Sequence, residues 1–226
     1  MSLTVNEVRV FVDREGAHGN PLAIAWADAA TRGREQQIAG DLGFSETIFI
    51  DAIADGVVRA RIFTPAVELP FAGHPTVGLA AWLRESGDEV RQIVVPAGSV
   101  RVRADGDVVF VTAMPDWAPE FEIERFDAPA DVDAIDPETY ADGMHYVWAW
   151  IDEGAHTVRA RMFAPDLGIR EDEATGSAAI RLTAALGVDL DIRQGRGSRL
   201  HTHVRYLGQQ IEVGGRTSAA RVIELG

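Results

Sequence analysis

Three stretches of the 226-residue chain hold side chains that can move protons or bind anions. GFSETIFI places Glu46 after a glycine and before an apolar strand. FAGHPTVG sets His74 beside Gly73 at what reads as a helix start. EDEATGSAAI crowds Glu171, Asp172 and Glu173 against a second start, with Thr175, Gly176, Ser177 and Ala178 at its mouth. A carboxylate or an imidazole can act as general acid or base, which is worth about 10² to 10⁴ in rate. A helix N-terminus offers unpaired N–H groups and a partial positive charge, so such starts can hold a carboxylate or phosphate without a lysine. Each feature also has a plainer reading. The second helix can simply be capped by Thr175 or Ser177, with Pro75 marking the opening turn of the first. Glu46 can be a solvated residue at a helix-to-strand junction, Asp172 part of a charged loop, and His74 a surface or packing residue.

His201 and His203 in HTHVRY stand two apart and share one strand face, a metal-ligand spacing with no third ligand nearby in sequence. QGRGSRL contains a GxG, but Leu200 stands where a dinucleotide fingerprint needs its last glycine. GxSxG, HExxH and GxxxxGK[ST] do not occur.

What is missing narrows the chemistry further. There is no cysteine, which removes thiolate nucleophiles, paired-thiol proton transfer and Cys-ligated zinc. All 21 basic residues are arginine, so Schiff bases, lysine-held pyridoxal phosphate and a phosphate-binding P-loop lysine are excluded too. The formal net charge of −14 repels nucleic acid and anionic lipid. The 46% hydrophobic and 25% charged content is that of a globular chain able to bury a core. No apolar run reaches the roughly 18 residues of a membrane span, and MSLTVNEVRVF lacks a signal-peptide layout. The expectation is a cytoplasmic protein without membrane or nucleic-acid partners.

The elements that must position these residues are duplicated. RARIFTP at 59–65 returns as RARMFAP at 159–165, and each is followed by a glycine that opens an Ala/Leu-rich helical stretch, GHPTVGLAAWL and GSAAIRLTAAL. Both helices are nearly uncharged, the mark of helices wrapped by sheet. Short alternating runs such as EVRVFV, LAIAW, ETIFI, VRVRA, DVVFVTA, HYVWAW, QIEVGG and ARVIEL read as strands between turn signals. REQQIAGDLG reads as a further helix closed by Gly43, while the Pro- and acid-rich stretch 115–140 breaks the pattern and reads as the inter-domain link. The fold class is α+β. Two pseudo-symmetric halves, 1–114 and 115–226, are each expected to curl a mostly antiparallel, barrel-like sheet around a central helix.

HGNPLAI, GFSETIFI, RIFTPAVELPFAGHPTVGLAAWL, EDEATGSAA and GQQIEVGG, in this order, resemble the PhzF (phenazine biosynthesis PhzC/PhzF) family, whose fold is similar to that of diaminopimelate epimerase. The resemblance runs nearly end to end, and FAGHPTVG and DxATGSA are its specific parts. It implies a cofactor-independent isomerase, usually a homodimer, with its active site between the two halves. It implies that Glu46 is the acid/base glutamate, that His74, Asp172 and Ser177 are further active-site side chains, and that Gly73 marks N–H groups which bind substrate. Thr175, Gly176 and Ala178 belong to the matching second helix start. The expected reaction moves a proton between carbons of a small, cyclic or aromatic-like carboxylate, with no metal. Burial is expected to raise the pKa of Glu46. Asp172 is expected to turn into the cleft while Glu171 and Glu173 stay solvated. The alternatives are a non-catalytic carboxylate-binding protein that kept the fold, and a metal hydrolase built on His201, His203 and an acid.

Overall fold

The structure, a computed structural model, describes residues 3–225. The first half runs β1 (Leu3–Val12), β2 (His18–Trp26), α1 (Glu35–Leu42), β3 (Glu46–Ala54), β4 (Val57–Phe63), β5 (Glu68–Leu69), α2 (Gly73–Glu85), β6 (Gln92–Val95), β7 (Gly98–Asp105) and β8 (Val108–Ala113). The second runs β9 (Glu122–Arg125), α3 (Pro129–Ala134), β10 (His145–Asp152), β11 (Thr157–Ala164), β12 (Ile169–Asp172), α4 (Gly176–Leu186), β13 (Leu190–Gln194), β14 (Ser198–Arg205), β15 (Gln210–Thr217) and β16 (Arg221–Leu225). The chain is therefore α+β and dominated by sheet.

The repeated RAR segments are β4 and β11, and the pairing around them repeats as well. β2 and β3 pair in parallel, as do β9 and β10. β4 pairs antiparallel with β3 and parallel with β6, and β11 does the same with β10 and β13. β8 and β15 pair antiparallel where the two series meet, and β15 also reaches β1. The stretch 115–140 is thus more than a link. Its residues Glu122–Arg125 and Pro129–Ala134 form β9 and α3, which mirror β2 and α1. Acid and proline disguised them, because a four-residue strand and a six-residue helix leave too short a window for periodicity to register.

The central helices are buried as their composition requires. In α2, Gly73 to Ala81 and Leu83 are all buried, which needs a helix without charge along most of its length. Gly78 shows how closely the sheet wraps it: a Cβ there would lie 2.5 Å from Leu22 Cδ2 and 2.7 Å from Val10 Cγ2. α1 ends as its sequence predicts, with Gly43 in the left-handed region at φ 68°.

α4 is pinned to β14 by a buried hydroxyl pair, Thr183 Oγ1 and Thr202 Oγ1, 2.6 Å apart. Thr183→Val is expected to cost about 1–2 kcal/mol, because it leaves Thr202 unpaired in the core. Thr183→Val/Thr202→Val should recover most of that loss in a urea titration. A double variant no better than the single one would mean that the bond does not hold the helix.

Candidate functional site

The starts of α2 and α4 meet. A Cβ on Gly176 would stand 3.1 Å from the backbone nitrogen of His74, and one on Gly73 would stand 3.4 Å from the Gly176 Cα. Only glycine lets two helix ends approach this closely. Neither start has a side-chain cap. Thr175 occupies the capping position of α4, yet its hydroxyl donates instead to Asp172 Oδ2 at 2.5 Å. The plainer reading, in which Thr175 or Ser177 caps the helix, thus holds for the position of Thr175 but not for its side chain. Pro75 falls at the third helical position, so its missing N–H removes one donor from the first turn of α2. The free donors of α4 are the backbone N–H groups of its opening residues Gly176, Ser177 and Ala178, since Ala179 already bonds the Thr175 carbonyl. Gly176→Ala is expected to cost about 1 kcal/mol by wedging the two starts apart. Chemical denaturation would detect it, and an unchanged midpoint would show that the contact has slack.

Around this junction the structure gathers Glu46, His74 and Asp172. Glu46 opens β3, directly after α1 and its loop, and His74 is the second residue of α2, buried at 3% exposure. His74 Nδ1 lies 3.0 Å from Glu46 Oε2, and Nε2 lies 3.1 Å from the Asn20 carbonyl. A carbonyl can only accept, so Nε2 carries a proton. The Nδ1 to Oε2 contact therefore needs one further proton, held either by the carboxyl or by the imidazole. Asn20 continues the chain of contacts. Its side-chain nitrogen donates to Asp172 Oδ1 at 2.7 Å and to the Ala174 carbonyl at 3.1 Å. Gln194 ties the far side, donating to the Asp172 carbonyl at 3.1 Å and to Thr175 Oγ1 at 2.9 Å, while its own oxygen accepts from the Thr175 N–H and the buried Tyr146 hydroxyl. Asn20 and Glu46 come from the first half of the chain, and Asp172, Thr175 and Gln194 from the second.

The two carboxyl groups differ in charge state. Burial pushes Glu46 up, but the hydrogen bond and charge of His74, helped by Ser45, outweigh it and hold the pKa below the ordinary range. The expected rise is thus overturned, because the sequence could not show that an imidazole would face the carboxylate. Asp172 is raised to about 6 by its burial and by the charge of Glu46, against the opposing pull of Thr175, His74 and Asn20. At neutral pH Glu46 is the better-held anion and Asp172 the carboxyl nearer to neutrality, a division suited to acid–base work.

The flanking glutamates are not solvated as expected. Glu171 accepts from Arg161 Nε and Nη2 at 2.8 and 2.7 Å, and Arg161 is itself 8% exposed and also donates to the carbonyls of Val132, Asp133 and Ile135. Glu173 accepts from Ser198 Oγ at 2.8 Å and from the Arg196 N–H at 3.1 Å. The run of three acids thus splits three ways: Glu171 fastens α3 to β12, Glu173 holds the 195–198 turn, and Asp172 joins the cluster.

His201 and His203 lie elsewhere. They line a cavity of about 260 Å³ together with Asp105, Arg14, Arg199 and Arg216, where three guanidinium charges outweigh the one carboxylate and disfavour a bound cation. Each histidine instead faces an aspartate, Asp191 at 3.7 Å and Asp189 at 3.0 Å. Beside the Glu46 cluster, Asn20, Ser45, Phe44 and Leu42 line a cavity of about 310 Å³ that also touches Glu7 and Arg221.

The family model of the PhzC-PhzF phenazine biosynthesis-like proteins matches residues 8–158 and 124–219. The trans-2,3-dihydro-3-hydroxyanthranilate isomerase of Pseudomonas aeruginosa is 31% identical over 267 aligned positions, covering 91% of this chain and 93% of its own length. The chain belongs to the PhzC/PhzF family, and it is an isomerase. An uncharacterized isomerase of the same organism is 30% identical across 96% of both chains. In fold, this PhzC/PhzF member matches a Bacillus anthracis PhzF-family protein with a TM-score of 0.76 at 20% identity, over 100% of this chain and 99% of that one. It also matches a hydroxyproline epimerase from Agrobacterium vitis, with a TM-score of 0.62 at 14% identity, over 99% and 93% of the two chains.

Several residues of the cluster in this PhzC/PhzF member escaped sequence reasoning. Asn20 sits inside the HGNPLAI motif, whose asparagine was the available signal. Gln194 and Tyr146 gave none. Phe11, fully buried at φ 68°, is a non-glycine residue in the left-handed region where the register of β1 against β15 shifts, and its ring lies 6.5 Å from that of His74. Such a conformation is uncommon for a bulky residue and is retained where packing enforces it.

Proposed function

We propose that this isomerase moves one proton between two carbons of a small, cyclic carboxylate, with Glu46 as the group that takes the proton and returns it. The observation that carries this reading is the cluster itself: a carboxylate held as an anion by His74 stands at the meeting point of two uncapped helix starts. Glu46 Oε2 is bound to His74, and Oε1 has no such tie. The substrate C–H proton passes to Oε1, and the electron pair left behind spreads through the adjoining unsaturation toward the carboxylate. The N–H groups of His74, Gly176, Ser177 and Ala178, with the dipoles behind them, stabilise that charge. Protonation at the second carbon then returns Glu46 to its starting state. Nothing is oxidised or reduced and no group leaves, so the step needs neither redox cofactor nor covalent nucleophile.

In this reading Asp172, with a pKa raised to about 6, supplies or accepts a hydrogen bond at a polar substituent of the ligand while Thr175 and Asn20 fix its two oxygens. Gly73 serves by letting the helix starts touch, and Ser177 offers its hydroxyl beside its own N–H. The halves 1–114 and 115–226 act as the two walls of the site. Among the described residues no helix is long and apolar enough to cross a membrane. We take the protein as a cytoplasmic homodimer, as its family resemblance implies, and light scattering gives its mass in solution.

Trans-2,3-dihydro-3-hydroxyanthranilate, named in the P. aeruginosa relative, is the first compound to test as substrate. Crystals soaked with a small aromatic carboxylate should place its carboxylate within hydrogen-bond reach of the opening N–H groups of α4 and its ring against Glu46. Density only at the arginine-lined cavity of His201 and His203 would overturn the proposed site.

A further inference from the structure

We propose that Glu122, Glu124 and His145 form a binding site for a first-row divalent metal ion at the sheet edge of the second half, outside the proton-transfer cluster. β9 is the last strand in that direction, paired in parallel with β10, so that Glu122 stands opposite His145 in register. Glu124, two residues further along, projects from the same face of the strand.

The decisive group is His145. It is 6% exposed, and its Nε2 lies 2.7 Å from the Asp142 carbonyl, which can only accept, so Nε2 carries the proton. In the neutral ring Nδ1 then bears a lone pair, and it is buried without a hydrogen-bond partner. That lone pair faces the two glutamates, with Nδ1 3.6 Å from Glu122 Oε2 and 3.7 Å from Glu124 Oε1. All three ligand atoms lie within 4.8 Å of one another.

These separations are too long for hydrogen bonds, which close by about 3.2 Å. They are close to the edge of a coordination tetrahedron, about 3.4 Å for bonds of about 2.1 Å. The surroundings match a ligand set as well. A ligating histidine commonly donates its second nitrogen to a backbone carbonyl, which is what Asp142 accepts here. Tyr140 packs on the imidazole at 4.2 Å between ring centroids, and its hydroxyl donates to Glu124 Oε2 at 3.4 Å. Gly143, at φ 78°, lets the turn close over the ring, since a Cβ there would lie 3.0 Å from His145 Nε2.

One imidazole with two carboxylates suits a borderline ion such as zinc or manganese better than a soft one. Bound there, the ion would fasten the four-residue edge strand β9 and the Tyr140 loop to β10. The metal-free alternative is an imidazolium held between two carboxylates, and titration with zinc separates the two.

The test is calorimetric titration of zinc chloride into tag-free, full-length protein previously dialysed against EDTA. One equivalent should bind and raise the melting temperature. Glu122→Gln/Glu124→Gln removes two ligands from side chains that are 71% and 43% exposed, so the fold should persist by circular dichroism. In that variant zinc affinity should fall by more than about 100-fold, because even the outer partners of ligands are worth about 10 to 100-fold. Absence of saturable binding to the parent protein would overturn the site, and so would unchanged affinity in the double variant, which would put the ion on other groups.

Discussion

Replacing Glu46 with glutamine is expected to lower turnover by about 10³-fold or more, within or beyond the range that general acid–base groups supply. The substitution keeps the shape of the side chain and its contact with His74 Nδ1, which the new amide N–H can still reach. What it removes is the only property the mechanism needs, the ability to accept a proton and give it back. The effect should fall on kcat more than on KM, because the helix starts and Asp172 remain to hold the ligand. Rates of product formation from trans-2,3-dihydro-3-hydroxyanthranilate, or from whichever small cyclic carboxylate the parent protein accepts, give the comparison. Stability should respond in a defined direction. The pKa of Glu46 is depressed in the fold, so its ionisation adds stability above the unfolded pKa and that contribution fades as pH falls through the folded value. Glu46→Gln should therefore be less stable than the parent at pH 7 and indistinguishable in strong acid.

Asp172→Asn is expected to do the reverse to stability while also damaging activity. The fold raises this carboxyl from 3.8 to about 6, so the native state binds more protons than the unfolded chain between those values. Stability then falls as pH rises through that window, and the full penalty is present above pH 6. A shift of about two units corresponds to about 3 kcal/mol. Relaxation around the buried carboxylate and its coupling to Glu46 reduce the expected gain for the asparagine variant to about 2 kcal/mol at pH 7. Asparagine can still accept from Asn20, and its own N–H can donate to Thr175 Oγ1 once that hydroxyl turns. Urea midpoints from pH 4 to 8 should show the variant ahead at the alkaline end and converging with the parent near pH 4. Turnover should drop by about 10²-fold, the lower end for a participating acid. A variant less stable at every pH would mean that the carboxylate is net stabilising and that its raised pKa is wrong. Gains in stability bought by removing an active-site charge are a common pattern in enzymes.

Much of this was legible in the chain. The offset of 100 between RARIFTP and RARMFAP located β4 and β11, and the Ala-rich stretches after each located the buried helices. The glycines opening those helices pointed to Gly73 and Gly176, now in backbone contact. The contacts that define the cluster were not legible, because they join residues with no spacing rule between them. Asn20 and Asp172 are 152 positions apart. The pKa of Glu46 failed for the same reason: burial was foreseeable from an apolar strand, but the opposing imidazole was not. Glu171 and Glu173 look like solvated acids in sequence, and only the positions of Arg161 and Ser198 reveal that each has a partner. The short β9 and α3 fell below the length at which a periodic pattern can be read.

Solvent isotope uptake reaches the proton carrier most directly. Parent protein, Glu46→Gln and a His201→Gln/His203→Gln control are incubated with the same small cyclic carboxylate in D₂O, and the carbon-bound deuterium in recovered substrate and product is followed by NMR. Because a proton resting on Glu46 Oε1 exchanges with solvent before it is returned, parent and control should introduce deuterium at one skeletal carbon, and the Glu46 variant at none above the uncatalysed rate. Deuterium entering at the parent rate with glutamine at position 46 would contradict the assignment and give the proton to another group.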